Sequence, residues 1–356
     1  MRLSPGSILF TMSTSTEELV VVGAGAAGLC AAWHAQERGW SPLLLERTER
    51  AGGAWRFMAG DMRCISDRSD DHLPDGSVPG GAGARATAAD VDVWLRDFAA
   101  KSDFRLRCNA TVTGLSRDGD LLSLEVGEET ISTRRLVVAT GIWGRARLPS
   151  LAGAFSGPSG HSSAFDIDAV GDAEHVLLVG AGNSASDIFR LLAARGIRTT
   201  LSTRRPPRRP LALPLGPLRR VKWWLSGVPI DRVPLRAGCR DQTPLDGPRL
   251  SDAIDAGQLV TVPATVELCA EGVRVSDGQV IDCDRIVFAT GFRYNTAWLS
   301  DVLSLDDVGV PRHHRGISLD LGQVGFVGLA CQRTRRSGFL RGFSDDAAEV
   351  IRSLPS

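Results

Sequence analysis

The apolar positions of this chain fall in short β-branched runs that break on glycine clusters and resume at helical spacing. Leu19-Val20-Val21-Val22 enters Gly23-Ala24-Gly25-Ala26-Ala27-Gly28, and Leu29-Cys30-Ala31-Ala32-Trp33 follows with a helical period. That order predicts strand, tight turn and helix. A second strand, Pro42-Leu43-Leu44-Leu45, ends on Glu46. Beyond a Gly- and Pro-rich loop over 74–83, the pattern predicts a helix over 87–102, strands around Val112 and Leu122, and the run Leu136-Val137-Val138-Ala139-Thr140-Gly141. The pattern then restarts. His175-Val176-Leu177-Leu178-Val179 feeds Gly180-Ala181-Gly182-Asn183-Ser184-Ala185, a helix runs to about Ala194, and Thr199-Thr200-Leu201-Ser202-Thr203 follows as a strand. Asp284-Arg285-Ile286-Val287-Phe288-Ala289-Thr290-Gly291 echoes the earlier Ala-Thr-Gly strand, and Val327-Gly328-Leu329 closes the series. Strands alternating with helices make this an α/β chain of two interleaved, similar halves.

Gly23, Gly25 and Gly28 supply what a dinucleotide pyrophosphate demands: a tight turn, bare backbone beside the phosphates, and close packing of helix on strand. The same triplet can be a plain tight turn. Here a strand precedes it, a helix follows, and Glu46 arrives where a carboxylate would meet a ribose hydroxyl, so dinucleotide binding is the expectation. In the second half Ala185 replaces the third glycine, a position that needs only a small side chain. The residue as far beyond Gly180 as Glu46 lies beyond Gly23 is Thr203, flanked by Ser202, Arg204 and Arg205. Hydroxyls and guanidinium groups suit a ribose 2′-phosphate, which a carboxylate would repel, so this half is expected to take NADPH rather than NADH. The later basic residues Arg208, Arg209, Arg219, Arg220 and Lys222 read as a solvated loop, and Trp223 and Trp224 as core or interface residues more readily than as cavity walls.

Composition narrows the field further. A chain of 356 residues, 43% of them apolar, suits two domains. With 41 Lys and Arg against 41 Asp and Glu, charge gives no reason to expect nucleic acid or an anionic membrane as partner. The seven cysteines are scattered and never spaced C-x-x-C. Free thiols in a reducing, cytoplasmic compartment are expected, with neither a redox dithiol nor a metal site. Residues 1–16 read as a loose tail, and no apolar run is long enough to cross a bilayer. Self-association is left open.

Between the glycine turns lies Phe155-Ser156-Gly157-Pro158-Ser159-Gly160-His161-Ser162-Ser163-Ala164-Phe165. This F-x-G-x-x-x-H-x-x-x-F run resembles the identifying motif of the single-component (class B) flavin-containing monooxygenases, which include N- and S-oxidising, YUCCA-like and Baeyer–Villiger enzymes. Gly52-Gly53-Ala54-Trp55, Gly182-Asn183-Ser184-Ala185-Ser186-Asp187 and the two Ala-Thr-Gly strands match the same family in the same order, so the resemblance spans about 19–350. Phe165-Asp166 stands where Baeyer–Villiger members usually have Trp, which places the match nearer the N/S-oxidising and YUCCA-like branch.

The resemblance implies two Rossmann-like domains, with an NADPH domain (170–283) inserted into an FAD domain (17–165 and 284–356). Residues expected to bind cofactor are Gly23, Gly25, Ala26, Gly28, Glu46, Arg47, Gly53, Trp55, Ala139, Thr140, Gly141, Gly180, Gly182, Asn183, Ser184, Ala185, Ser202, Thr203, Arg204, Arg205, Thr290, Gly291 and Leu340, the last opening a closing helix over 338–351. The implied reaction is oxygenation of a small organic substrate by O2 through a C4a-hydroperoxyflavin, as N- or S-oxidation or oxidative decarboxylation of a 2-oxo acid. A Baeyer–Villiger outcome, an NADPH oxidase or reductase, and a non-catalytic redox sensor are the competing readings. Many N-oxidising members carry an Asn after G-G-x-W; here the segment reads Asp61-Met62-Arg63-Cys64-Ile65-Ser66-Asp67, leaving Ser66, Asp67 and Asn183 as candidates near the flavin. His161 reads as a linker residue rather than a base.

Overall fold

The computed structural model describes residues 16–81, 83–205, 207, 226–232 and 247–356. The N-terminal tail up to residue 15, Arg208, Arg209, Arg219, Arg220, Lys222, Trp223 and Trp224 lie outside them.

Two parallel sheets organise the chain. In the first, the strand Leu19–Val22 lies between Pro42–Leu45 and Leu136–Val138, with Arg105–Arg107 outside the former and Val324–Phe326 outside the latter. Two short antiparallel strands, Ile317–Ser318 and His313–His314, extend that edge. In the second, all parallel, His175–Val179 lies between Arg198–Ser202 and Arg285–Phe288, flanked by Val260–Val262 and Ser159–His161. The central strands are apolar throughout because each sheet is covered on one face by helices and on the other by an antiparallel meander; Leu19, Val20 and Val21 are wholly buried. In each sheet the order reverses beside the central strand, the place where open α/β sheets take ligands at the carboxyl ends of their strands.

The repetition extends to detail. An antiparallel meander precedes each Ala-Thr-Gly strand: Val112–Asp118, Leu121–Val126 and Glu129–Thr133 in the first unit, Thr265–Cys269, Gly272–Val275 and Val280–Asp282 in the second. The strand Arg285–Phe288, assigned from the sequence to the first domain, pairs with His175–Val179 in the second sheet, and Ser159–His161 joins it there. The reason is local: each Ala-Thr-Gly strand walls the glycine turn of its own unit. The closing strand, Val324–Phe326, lies slightly earlier than its expected position.

The helix expected over 87–102 forms as Ala88–Lys101, opened by a capping box in which the Thr87 hydroxyl accepts from the Asp90 amide and the Asp90 carboxylate accepts from the Thr87 amide. The helices Ala26–Glu37 and Leu340–Ser353 share one core, where Leu29 and Val350 are fully buried; each such side chain contributes about 1.5–3 kcal/mol. Among the described cysteines, Cys30, Cys64, Cys108, Cys269 and Cys283 are free, but Cys331 is disulfide-bonded. This corrects the expectation of free thiols throughout, which rested on the scattered spacing of the cysteines.

Candidate functional site: two glycine turns

The first turn is built from backbone that tolerates no side chain. Gly23 has φ +102°, and a Cβ there would lie 2.6 Å from the carbonyl oxygen of Ala139. A Cβ on Gly28 would overlap the carbonyl oxygen of Gly23. Gly25 caps the following helix at φ −81°, ψ −176°, and the backbone of Gly53 passes so close that a Cβ on Gly53 would sit 2.8 Å from the Gly25 Cα. Ala26 and Ala139 are buried at this turn. The buried Glu46 carboxylate reaches beneath it: Oε2 accepts from the Ala24 amide at 2.9 Å, and Oε1 accepts from the Thr48 amide and hydroxyl at 3.0 and 2.8 Å. Oε2 keeps acceptor capacity for a ribose hydroxyl. Arg47, beside it, is exposed.

The second turn repeats the first. Gly180 has φ +106°, and a Cβ there would lie 2.5 Å from the Ala289 carbonyl oxygen. Gly182 caps its helix at φ −84°, ψ −175°, within a few degrees of Gly25, and nothing lies within 4 Å of a Cβ built on it. Ala185 is fully buried, as its packing role requires, while Asn183 and Ser184 are half-buried at the helix start. Gly141 and Gly291, at φ +74° and +83°, end the two Ala-Thr-Gly strands with open space around them, and Thr140 and Thr290 precede them half-buried.

The helices starting at Ala26, Asn183 and Leu340 share a further property. None has a side-chain cap or an acidic residue in its first turn, in contrast to the helix capped by Thr87. The positive ends of their dipoles therefore favour an anion. Those three are the helices on which the sequence placed cofactor residues.

Beyond the second turn, Arg204 and Arg205 project into solvent and Thr203 closes the bend by donating to the Arg205 carbonyl at 2.7 Å. Ser202 is a correction. Its hydroxyl is buried, donates to the Pro263 carbonyl at 2.9 Å and accepts from the Thr265 amide at 2.9 Å, so it ties the strand to the neighbouring meander and presents nothing to a ligand.

The segment after Gly53 bridges the units. Trp55 packs against the cores of both and meets Trp143 edge-on at 5.4 Å. The Arg63 amide donates to Asp187 Oδ2 at 2.8 Å, and Arg190 holds Asp187 Oδ1 and the Asp61 carbonyl at 3.2 and 2.7 Å. Neither Asp187 nor Arg190 has an expected role in this bridge, because a helix residue reaching another domain leaves no local pattern. Of the candidates near the flavin, Asp67 is spent on its own loop, accepting from Ser69 and the Gly83 amide, whereas Ser66 is buried and donates to Asp71 at 2.7 Å.

His161 sits on the connection between units. The segments leaving the two Ala-Thr-Gly strands pair with each other, Arg145 opposite Arg293 and Ala146 opposite Phe292. His161 is buried against this ribbon. Its Nδ1 accepts from the Ser163 amide at 3.1 Å, so Nε2 carries the hydrogen and donates to the Gly291 carbonyl at 2.9 Å, with the ring edge-on to Phe292 at 4.8 Å. Burial pushes its pKa below the ordinary value, keeping it neutral.

Leu340, buried, opens the last helix behind a polar loop in which Gln332, Thr334, Arg336 and Ser337 are also buried. Arg333 Nε pairs with the buried Asp346 at 3.0 Å, and Arg336 Nε donates to the Ser226 hydroxyl at 3.0 Å. A surface hollow of about 680 Å³ lined by Asp172, Glu174 and Arg195 opens at the amino ends of the second sheet's strands, away from both turns. Among the described residues no group of His, Cys, Asp or Glu is placed to hold a metal, and no helix is long and apolar enough to cross a membrane.

Comparison with known proteins agrees with this geometry. The "Uncharacterized oxidoreductase CzcO-like" of Geobacillus kaustophilus (strain HTA426) is 24% identical over 346 residues, spanning 95% of this chain and 98% of that protein. The indole-3-pyruvate monooxygenase YUCCA1 of Oryza sativa subsp. japonica is 28% identical over 377 residues, spanning 94% and 90%. The fold is shared with a flavin-containing monooxygenase from Stenotrophomonas maltophilia, at a TM-score of 0.78 and 23% identity over 95% of this chain and 98% of that one. Residues 20–217, more than half of the sequence, match the family model described as pyridine nucleotide-disulphide oxidoreductase, and the chain belongs to that family.

Proposed function

We propose that the chain is an NADPH- and O2-dependent flavoprotein monooxygenase acting on a small organic substrate. FAD is held at the first glycine turn and NADPH at the second. The observation that carries the reading is the duplicated turn: two uncapped helix starts with the same backbone angles, each behind a glycine wedged against an Ala-Thr-Gly strand, with bare space at Gly182 that a Cβ would fill. An anionic nucleotide fits both. When bound, FAD supplies hydride acceptance from NADPH and activation of O2, the chemistry the protein itself lacks.

The chain's own residues bind and orient. Amides at Ala26 and Asn183 face the two pyrophosphates, Glu46 takes a ribose hydroxyl, and Arg204 and Arg205 take the 2′-phosphate of NADPH. The Leu340 helix start favours negative charge on the flavin pyrimidine. Trp55 and the 61–66 segment close the cleft between units and keep water from the reacting centre. The domain limits follow the sheets, with the NADPH unit inserted between strands Leu136–Val138 and Val324–Phe326 of the FAD unit. The product class is N- or S-oxidation, or oxidative decarboxylation of a 2-oxo acid.

An NADPH oxidase or reductase on the same scaffold is the second reading. It draws support from Ser66, whose hydroxyl is tied to Asp71 where many N-oxidising enzymes have a carboxamide. Oxygen consumed against hydrogen peroxide released, with and without amine, sulfide and 2-oxo acid substrates, separates the two. A substrate that raises NADPH turnover while lowering the peroxide yield supports the monooxygenase. Stoichiometric peroxide under every condition supports the oxidase.

A further inference from the structure

The segment after Trp55 holds a buried carboxyl that neither nucleotide turn uses. Asp71 is wholly buried. Its Oδ1 accepts from the Ser66 hydroxyl at 2.7 Å, while its Oδ2 is buried without a hydrogen-bond partner. A buried oxygen left unpaired is costly, and such groups persist where they are protonated or where a ligand completes them. The location suits a ligand. Cys64 and Leu73 share a core with Ala24, Ala26 and Ala27 of the first turn and with Leu340 of the last helix, and the Arg63 amide reaches the second unit at Asp187.

We propose that Asp71 is a positioning residue of the flavin site, whose protonation state sets whether the Ser66 hydroxyl is held back on Oδ1 or released to donate toward the flavin. The proposal rests on FAD occupying the first turn. As a carboxylate, Asp71 is a strong acceptor and keeps the Ser66 hydrogen. Once a proton sits on Oδ2, Oδ1 becomes a weaker carbonyl-like acceptor and the hydroxyl can turn outward. Burial raises Asp71 to about 6, against the opposing pull of the Ser66 hydroxyl and of Arg341 in the last helix; Asp70 and His72 are the other charged groups facing it. The neighbouring Cys64 thiol, pushed up to about 12 by burial and by Asp71, stays protonated through this range.

The test is the absorbance spectrum and midpoint potential of bound FAD across a pH series, in wild type, Asp71→Asn and Ser66→Ala. Wild type is expected to show an inflection near pH 6 in both readouts, and Asp71→Asn in neither. Ser66→Ala keeps the inflection in potential, because the carboxyl still titrates, and loses the spectral one. An inflection that survives in Asp71→Asn, or is missing from flavin-loaded wild type, overturns the proposal. Should Asp71→Asn not fold, wild type against Ser66→Ala decides, since the spectral inflection must vanish with the hydroxyl. Protein without flavin gives a separate readout of the carboxyl. Its folded-state value lies above the ordinary 3.8, so its stabilising contribution is complete below 3.8 and lost as pH rises through about 6. Asp71→Asn should therefore gain thermal stability relative to wild type over that rise, and parallel curves would contradict the buried proton holder. Protein that binds no FAD sinks the functional reading and this proposal with it, whereas flavin-loaded protein without the inflection sinks the proposal alone.

Discussion

The Nε2–H of His161 donates to the carbonyl oxygen of Gly291 at 2.9 Å, tying the linker histidine to the end of the second Ala-Thr-Gly strand. That bond lies beside the antiparallel ribbon through which the two units are joined, so the histidine sets their relative placement rather than moving a substrate proton. Replacing His161 with Ala strands the Gly291 carbonyl and should cost about 1–3 kcal/mol, read as a fall in Tm, with slower flavin reduction by NADPH. Burial depresses the pKa of His161, so its stabilising contribution is complete above its ordinary value of 6.5 and is lost as pH falls toward the folded value. Wild type should lose stability on acidification below that point more steeply than His161→Gln; identical slopes would contradict the buried neutral ring.

The open glycine of the second turn, Gly182, makes the opposite prediction to the wedged Gly180. Gly182→Ala meets no protein atom and keeps an allowed backbone, so Tm and FAD content should be unchanged. The methyl group fills the space proposed for pyrophosphate, and KM for NADPH should rise about tenfold or more, equivalent to about 1.4 kcal/mol. Gly180→Ala sits at φ +106° against the Ala289 carbonyl and should destabilise the second unit itself, by about 1–2 kcal/mol for the backbone before any clash. Thermal melts alongside NADPH kinetics separate the two effects.

Coenzyme choice should reside in Arg204 and Arg205 and not in Ser202. The double change to Gln is expected to lower kcat/KM with NADPH by about tenfold to a hundredfold, at about 1.5–3 kcal/mol for charge-assisted bonds, and to leave NADH kinetics in place. Ser202→Ala should leave the NADPH/NADH ratio unchanged. It should lower Tm, because the Pro263 carbonyl and the Thr265 amide lose their partner.

Asp346→Ala removes the buried partner that the middle of the last helix offers to Arg333. Breaking a buried pair from one side costs about 3–5 kcal/mol. The variant is expected to unfold at lower denaturant and to lose FAD, whereas changing the exposed Arg352, paired with Glu349 on the surface, should leave both nearly untouched.

The duplicated architecture could be read from the chain because it rests on local chemistry. Gly23 and Gly180 must be glycine for their positive φ, Thr87 and Asp90 announce a helix start three residues apart, and apolar runs such as Leu19 to Val22 can only be buried strands. The assignment of Arg285–Phe288 to its sheet could not, since identical Ala-Thr-Gly endings serve both units and only pairing with His175–Val179 tells them apart. Ser202 looked like a ligand residue because it flanks Thr203, whose spacing from Gly180 matches that of Glu46 from Gly23. Strand alternation turned it inward, where Pro263 and Thr265, distant in sequence, take its hydroxyl. The roles of Asp71, Arg190 and Cys331 stayed invisible for the same reason: an aspartate in a polar loop, an arginine on a helix and a lone cysteine acquire their roles from partners that spacing does not encode.

If the two turns hold FAD and NADPH so that electrons pass from one to the other, the decisive experiment is to mix purified, FAD-loaded protein with NADPH in the absence of oxygen. The visible flavin absorbance should bleach in a single turnover, much faster with NADPH than with NADH, and return when O2 is admitted. A flavin band that NADPH leaves unchanged, or protein that takes up no FAD, rules out this assignment of the turns.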